Sequence, residues 1–199
     1  MNTADDTEAA FDRARNAIKA GQAVVYPTET VYGLGAEATN AAAVERVFEI
    51  KNRPHDKPLS VAFANLEHAS QYTEPTDRER AFMREFLPGP VTVIVERKPT
   101  LPDVLTDGHP RVGVRIPAND VALELLRAAG PITATSANRS GEPSVRHPAD
   151  LPESVRKQVG AVIETGETPG TESTVVDVSS GEIYRRGAGA DPIEAWLDQ

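Results

Sequence analysis

The segment KNRPHDKPL puts Lys51, Arg53, His55 and Lys57 on alternate positions of one short stretch. Like charges this close repel, so the stretch is either a solvated loop or a cluster that awaits an anion. VGVRIP places Arg115 four residues after Arg111, on the same face of a strand. A guanidinium fork matches a carboxylate or phosphate, although such an Arg can equally pair with a cross-strand acid. Hydroxyls gather elsewhere. YPTETVYGLG sets Thr28 and Thr30 around Glu29, where an apolar strand ends. TSANRSGEPS carries Ser136, Asn138, Ser140 and Ser144, and ESTVVD opens with Ser173 and Thr174. Such groups can hold a polar ligand or cradle phosphate oxygens, or they can satisfy nearby backbone in an ordinary turn. Arg185 and Arg186 close the last of these segments. Taken singly, none assigns a function.

Other chemistries are excluded more firmly. No G-x-x-x-x-G-K-[ST], H-E-x-x-H or G-x-S-x-G occurs. His55, His68, His109 and His147 lack ligand spacing, so no protein-held metal is expected. Ser136, His147 and Asp150 crowd along one loop too closely for a hydrolase triad. GLGAEA at 33 to 38 fits G-x-G-x-x-A, but its glycines follow polar TET and the next helix begins only near Asn40. We read a turn needing backbone freedom at Gly33 and Gly35 rather than a dinucleotide fingerprint. Lys+Arg number 21 against Asp+Glu 30, a net charge of -9, and aromatics are 5%. That balance argues against a broad phosphate-binding face for nucleic acid but leaves room for a local anion pocket. With Cys at 0 there is no disulfide framework and no thiolate zinc site. No apolar run approaches the ~20 residues of a membrane span. The first twenty residues carry acids in an amphipathic pattern unlike a secretory signal, so a cytoplasmic location is expected.

The elements that must position these groups alternate. Phe11, Ala14 and Ile18 recur at helical spacing after the capping candidates Asp6 and Thr7, with Gly21 as a stop. AVVYP reads as a buried strand. Asn40 caps a helix whose Ala43, Val44, Val47 and Phe48 share a face. Thr76 and Glu79 form a capping box for a helix burying Phe82 and Phe86. LSVAFA, VTVIVE, VGVRIP, PITATS and AVIET read as strands, and VALELLRAAG as a helix closed by Gly130. STVVDVSSGEIYRR reads as a hairpin turning near Ser180 and Gly181, and a short helix bearing Pro192 and Trp196 ends the chain. Helices between strands predict parallel pairing, with the late hairpin adding antiparallel strands. The expected architecture is one α/β domain over residues 1–199, a twisted mixed parallel/antiparallel sheet flanked by helices. Ligands of such sheets sit beyond the strand ends.

Five of these segments in this order, YPTETVYGLG, KNRPHDKPL, VGVRIP, TSANRSG and STVVD, resemble the YrdC family of L-threonylcarbamoyladenylate synthases in its single-domain form. The resemblance runs from about Gln22 to Gly187, and its most specific feature is Lys51-x-Arg53 combined with Ser136-x-Asn138. It implies a YrdC-like fold and conversion of L-threonine, bicarbonate and ATP to threonylcarbamoyl-AMP and pyrophosphate. The product would serve N6-threonylcarbamoyladenosine formation at position 37 of tRNAs reading codons beginning with A, through a separate transfer complex. Magnesium would arrive with ATP. The resemblance places Lys51, Arg53 and Lys57 on the triphosphate, with Lys51 and Arg53 in the catalytic role. It places Ser136, Asn138, Ser144, Arg111 and one of Arg185 and Arg186 on the nucleotide, and Thr28, Thr30, Arg115 and Ser173 on threonine. Two positions depart from the family pattern. Arg111 stands where many relatives have a small hydroxyl residue, and Ala62 where some have a threonine-contacting His. The competing expectations are an RNA-binding module of the same fold without adenylation, and a carbamoyl-adenylate module like that of hydrogenase maturation proteins.

Overall fold

The structure, a computed structural model, describes residues 3–199. Helix α1 (Thr3–Lys19) buries Ala10, Ala14, Ala17 and Ile18 along one stripe. It begins ahead of Asp6 and Thr7, so these fall inside the helix rather than capping it. Gly21, at φ 71, turns the chain out of it.

Strand β1 (Val24–Tyr26) sends Val25 to the larger of two apolar clusters, and Val24 and Tyr26 to the smaller. The chain then returns antiparallel as β2 (Gly33–Gly35), pairing Val24 with Gly35 and Tyr26 with Gly33. This corrects the turn expected at GLG. Neither glycine has a positive φ; what each supplies is space. A Cβ on Gly33 would lie 2.8 Å from Cζ of Tyr26, and one on Gly35 would lie 2.6 Å from the Thr133 carbonyl oxygen.

Helix α2 (Ala41–Lys51) starts where the Asn40 side chain accepts the amides of Ala42 and Ala43. It stops because Asn52 is left-handed, at φ 49, with its amide turned back to the last carbonyls. Lys51 is therefore the final helical residue, fixed in direction by a helix whose other face lies in the core. After β3 (Ser60–Ala62) and α3 (Leu66–Ser70), helix α4 (Asp77–Phe86) begins with the full Thr76–Glu79 capping box. It buries Phe82 completely and Phe86 in part. Strands β4 (Val91–Glu96) and β5 (Arg111–Arg115) pair antiparallel, and α5 (Asp120–Ala129) leads to β6 (Ile132–Ser136). Helix α6 (Glu153–Arg156), β7 (Ala161–Val162), the hairpin β8 (Thr174–Asp177) and β9 (Glu182–Arg185), and α7 (Ala190–Leu197) complete the order. Trp196 of α7 packs edge-on against Phe82, their ring centroids 5.1 Å apart.

Nine strands form one sheet in the order β7-β1-β2-β6-β3-β5-β4-β8-β9 among the described residues. The sheet is mixed, as expected, but mostly antiparallel. Only β1 with β7, β3 with β5, and β4 with β8 run parallel. The reason is local: β2 folds straight back on β1, and β6 slots between β2 and β3 against both.

One face of this sheet is filled by the larger cluster, which includes Val44, Val47 and Phe48 of α2 and Phe82 and Met83 of α4. Val93 and Val95 of β4, with Val112 and Val114 of β5, point into it. On the other face α1 packs on β1 and β7 and carries α5 beside it. The remainder of that face exposes the alternate residues Thr92, Ile94, Arg111, Gly113 and Arg115, which line a cavity. Gly113 keeps its floor open, because a Cβ there would lie 2.4 Å from Ser60 Oγ and 2.8 Å from Thr92 Cγ2.

Crowding at β2 makes a stability prediction. Gly35→Ala forces backbone at β6 to shift and should cost about 1–3 kcal/mol. Urea unfolding should show the lowered midpoint with an unaltered slope, and a midpoint equal to that of the original chain would contradict this packing.

Candidate active site

The cavity over the open face has a volume of about 820 Å³. Its residues come from every strand between β1 and β9 except β7, together with the loops after β1, α2 and β6. One side is cationic. Lys51 is 1% exposed, and its ammonium donates to the carbonyls of Ser136 and Asn138, while its own carbonyl accepts the Ser140 amide at 2.8 Å. These bonds tie the end of α2 to the loop that leaves β6. Burial, aided by Arg53, pushes the Lys51 ammonium down to about 8, against the opposing pull of Glu172 and Glu142. Arg53 is held by its own loop, Nε to the Lys57 carbonyl at 2.7 Å and a terminal nitrogen to that of Pro58 at 2.9 Å. Burial and the facing cation of Arg185 disfavour its charge. Arg185 is anchored in turn by Ser173, at 3.0 Å to the carbonyl and 3.1 Å to Oγ, and by Glu172 at 2.7 Å. Three cations thus converge with few acids among them.

The opposite end carries hydroxyls and Arg115. Thr28 Oγ1 donates to the Val31 carbonyl at 2.6 Å, so the 2.8 Å contact between the two threonine hydroxyls must be donated by Thr30. Its proton committed, the Thr30 hydroxyl presents lone pairs. Arg115 is 6% exposed, donates to Glu29 at 2.8 Å, and reaches Thr30 Oγ1 and the Val91 carbonyl only at 3.5 and 3.4 Å. Burial lowers its affinity for a proton while Glu29 restores part of it. The fork therefore retains donor capacity next to the cavity. Ser173 Oγ lies 3.2 Å from Thr92 Oγ1, opposite Arg115 in the β4–β5 register.

Of the residues singled out from sequence, Thr28, Thr30, Lys51, Arg53, Arg111, Arg115, Ser136, Asn138, Ser173 and Arg185 line this one cavity. Asn138 donates to the carbonyls of Arg139 and Glu142, leaving its buried Oδ1 without a partner among the described residues. Three of the residues that the family resemblance placed in the site do not line it. Lys57 is exposed, because the loop turns its side chain out and offers only its carbonyl to Arg53. Ser144 stands behind the wall, donating to Glu172. Arg186 points away, into an ion pair with Asp191 and Glu194 of α7, so that of the two it is Arg185 that faces the cavity. His55, too, lies outside, stacked on Phe48 with centroids 4.6 Å apart and paired with Glu45.

Arg111 reaches the rim already engaged by Asp177, by Glu79 at 2.7 Å and by the Ile94 carbonyl at 2.7 Å, so it is not a free cation. The lining also includes Tyr26, Ser60, Thr92, Glu172 and the 58% exposed Tyr184, none of which the sequence reading named as site residues. Thr92 was findable, as a hydroxyl interrupting the apolar run VTVIVE in register with Arg115. Glu172 was not, since it lies in a loop with no periodicity.

Comparison with known proteins follows the same lines. The Sua5/YciO/YrdC family model, described as telomere recombination, matches residues 16–187. A threonylcarbamoyl-AMP synthase of Pyrococcus abyssi is 38% identical over 180 residues, 89% of this chain and 53% of that protein. One of Bacillus subtilis is 38% identical over 80% of this chain and 47% of its own length, so the chain spans about half of these two relatives. A threonylcarbamoyl-AMP synthase of Escherichia coli O1:K1 / APEC is 36% identical, with 82% of this chain and 88% of that protein covered. The crystal structure of P. abyssi Sua5 complexed with L-threonine superposes with a TM-score of 0.82 at 39% identity, over 87% of this chain and 53% of that one. E. coli YciO gives 0.84 at 26% identity, over 94% and 93%. By fold and by sequence, the chain belongs to the Sua5/YciO/YrdC family.

Proposed function

We propose that this chain is an L-threonylcarbamoyladenylate synthase, converting L-threonine, bicarbonate and ATP to threonylcarbamoyl-AMP and pyrophosphate. One observation carries the reading: a polar end at Thr30 and Arg115 and a cationic end at Lys51, Arg53 and Arg185 share a single cavity. A volume of about 820 Å³ accommodates a nucleotide and a small amino acid together. The names of the relatives point to the same product.

The threonine amine, once deprotonated, attacks the carbon of bicarbonate; the C–OH bond breaks and water leaves, giving a carbamate. A carbamate oxygen then attacks the α-phosphorus of ATP, the bond to the bridging oxygen breaks, and pyrophosphate departs. No side-chain nucleophile is needed. Arg115 takes the threonine carboxylate with Ser173 beside it, and Thr30, as an acceptor, takes an N–H or O–H of the same substrate. Lys51, Arg53 and Arg185 line the phosphate path, where each charge-assisted hydrogen bond contributes about 1.5–3 kcal/mol. Catalysis is positioning and charge stabilisation. Mg²⁺ would arrive bound to the nucleotide, as part of the substrate.

The product would pass to a separate complex that modifies position 37 of tRNAs reading codons beginning with A. An RNA-binding module is the weaker reading, since the net charge of -9 disfavours a phosphate-tracking surface. We place the reaction in the cytoplasm, and no helix among the described residues is long and apolar enough to cross a membrane.

The direct test is pyrophosphate release from ATP, Mg²⁺ and bicarbonate with threonine present or omitted. Release that depends on threonine, with serine clearly poorer, is expected. Folded protein that releases none at low or high salt would transfer the case to the binding-module reading. A pH profile examines the cationic end. Protonated Lys51 attracts the triphosphate and is lost as pH rises through about 8, so kcat/KM for ATP should fall above that pH. At saturating ATP the bound anion holds the proton on, and kcat should persist to higher pH. In Lys51→Arg the fall near 8 should vanish; its persistence there would assign it to another group.

A further inference from the structure

Tyr26 is buried, lines the cavity, and has a hydroxyl with no hydrogen-bond partner among the described residues. Its place is fixed. The ring lies across β2, so close to Gly33 and Gly35 that a Cβ on Gly33 would sit 3.1 Å from the hydroxyl itself. It shares the smaller apolar cluster with Ala62 of β3. The hydroxyl oxygen is not one of the fully buried polar atoms left without a partner, so it keeps its contact with the cavity while the ring is held in the apolar cluster. It faces the substrate space.

The donor and acceptor inventory says what it faces. Glu29, bonded to Arg115 through one oxygen, keeps a second buried oxygen without a partner among the described residues. Otherwise, at this end, Arg115 can only donate, and Thr30, its proton committed to Thr28, can only accept. An amino acid satisfies both, its carboxylate on the arginine and an N–H or O–H on the threonine. The Tyr26 hydroxyl remains as an extra donor beside the Arg115 cation, suited to an oxygen that bears negative charge. The substrate chemistry supplies one such oxygen that the amino acid does not, on the carbon that becomes the carbamate.

We propose that the Tyr26 hydroxyl is the hydrogen-bond donor that binds bicarbonate and then the carbamate formed from it. The proposal rests on the synthase reading above. It adds a site for the one-carbon substrate at the junction of β1 and β2. As the amine lone pair closes on the bicarbonate carbon, the C–OH bond breaks and water leaves, while the oxygen held by Tyr26 stays on the carbamate. Another carbamate oxygen is then free for the α-phosphorus. Burial raises the Tyr26 pKa, with Arg115 opposing in part, so the group remains a donor across the working pH range.

Tyr26→Phe removes the hydroxyl and keeps the ring against Gly33 and Gly35. Initial rates of pyrophosphate release are measured for both proteins while bicarbonate, threonine and ATP are varied in turn, in buffers purged of carbon dioxide. The expected result is a bicarbonate KM raised roughly ten-fold with threonine and ATP KM values within about two-fold of the original, the size of one lost hydrogen bond to a charged group. An unchanged bicarbonate KM overturns the proposal alone, as does a rise confined to the threonine KM with weakened preference over serine, which would put the hydroxyl on the amino-acid side chain. Should the original chain show no threonine-dependent release, the synthase reading falls and takes this proposal with it. Circular dichroism and a thermal scan of Tyr26→Phe separate these outcomes from misfolding. If that variant does not fold, Tyr26→Trp, which returns an N–H donor, must keep a lower bicarbonate KM than Tyr26→Leu, and equal values overturn the proposal.

Discussion

The architecture turns on one electrostatic constraint: Lys51, Arg53 and Arg185 must be held close together, partly out of water, in a protein with a net charge of -9. Their repulsion could be relieved by carboxylates, but a site neutralised in that way would repel the phosphates it is meant to attract. For Lys51 and Arg53 backbone carbonyls are used instead, while among the described residues Arg185 alone of the three has a carboxylate partner, Glu172. Lys51 donates to those of Ser136 and Asn138, and Arg53 to those of Lys57 and Pro58. Dipoles orient these cations without cancelling their charge, and burial first, then the neighbouring cation, lowers the proton affinities of Lys51 and Arg53. Where carboxylates do meet arginines at the rim, as Asp177 and Glu79 meet Arg111, the pair serves the wall rather than the ligand.

The sheet makes such a site possible. Alternation along β4 and β5 sends valines into the large core and leaves Thr92, Gly113 and Arg115 on the other face, where α1 and α5 cover only the far strands. A bare sheet face is rigid because its backbone hydrogen bonds are complete. Side chains standing on it are therefore positioned by the ladder itself, with little ordering left for the substrate to supply. Glycine at 113 gives depth that any side chain would remove, and the glycines of β2 give Tyr26 the room to lie flat. The same face thus provides the floor and the donors.

Much of this was legible in the residues. Asn40, the Thr76–Glu79 box and Gly130 terminate helices where their capping chemistry says they should. Arg111 and Arg115 share a face because strand period alone requires it. GLG was misread because a strand without side chains has no hydrophobic alternation to display; its role appears only when Tyr26 and Thr133 are seen beside it. The charge cluster of KNRPHDKPL was read as a unit, yet the left-handed Asn52 and the turn beyond it divide it, sending Lys51 and Arg53 inward and His55 and Lys57 outward. Arg185 and Arg186 are neighbours in sequence but face opposite ways, a distinction set by register and by the acids of α7. Contacts between distant segments, such as Glu172 with Ser144 and Arg185, leave no local signature.

An acidic protein here holds Lys51 and Arg53 on backbone carbonyls, keeping their charge for a polyphosphate. Calorimetric titration of ATP·Mg²⁺ into the chain, without bicarbonate and over a range of salt concentrations, tests this most directly. The account predicts single-site binding that weakens steadily as salt rises and is competed by pyrophosphate. Absence of binding at low salt, or an affinity indifferent to salt and to pyrophosphate, would contradict it.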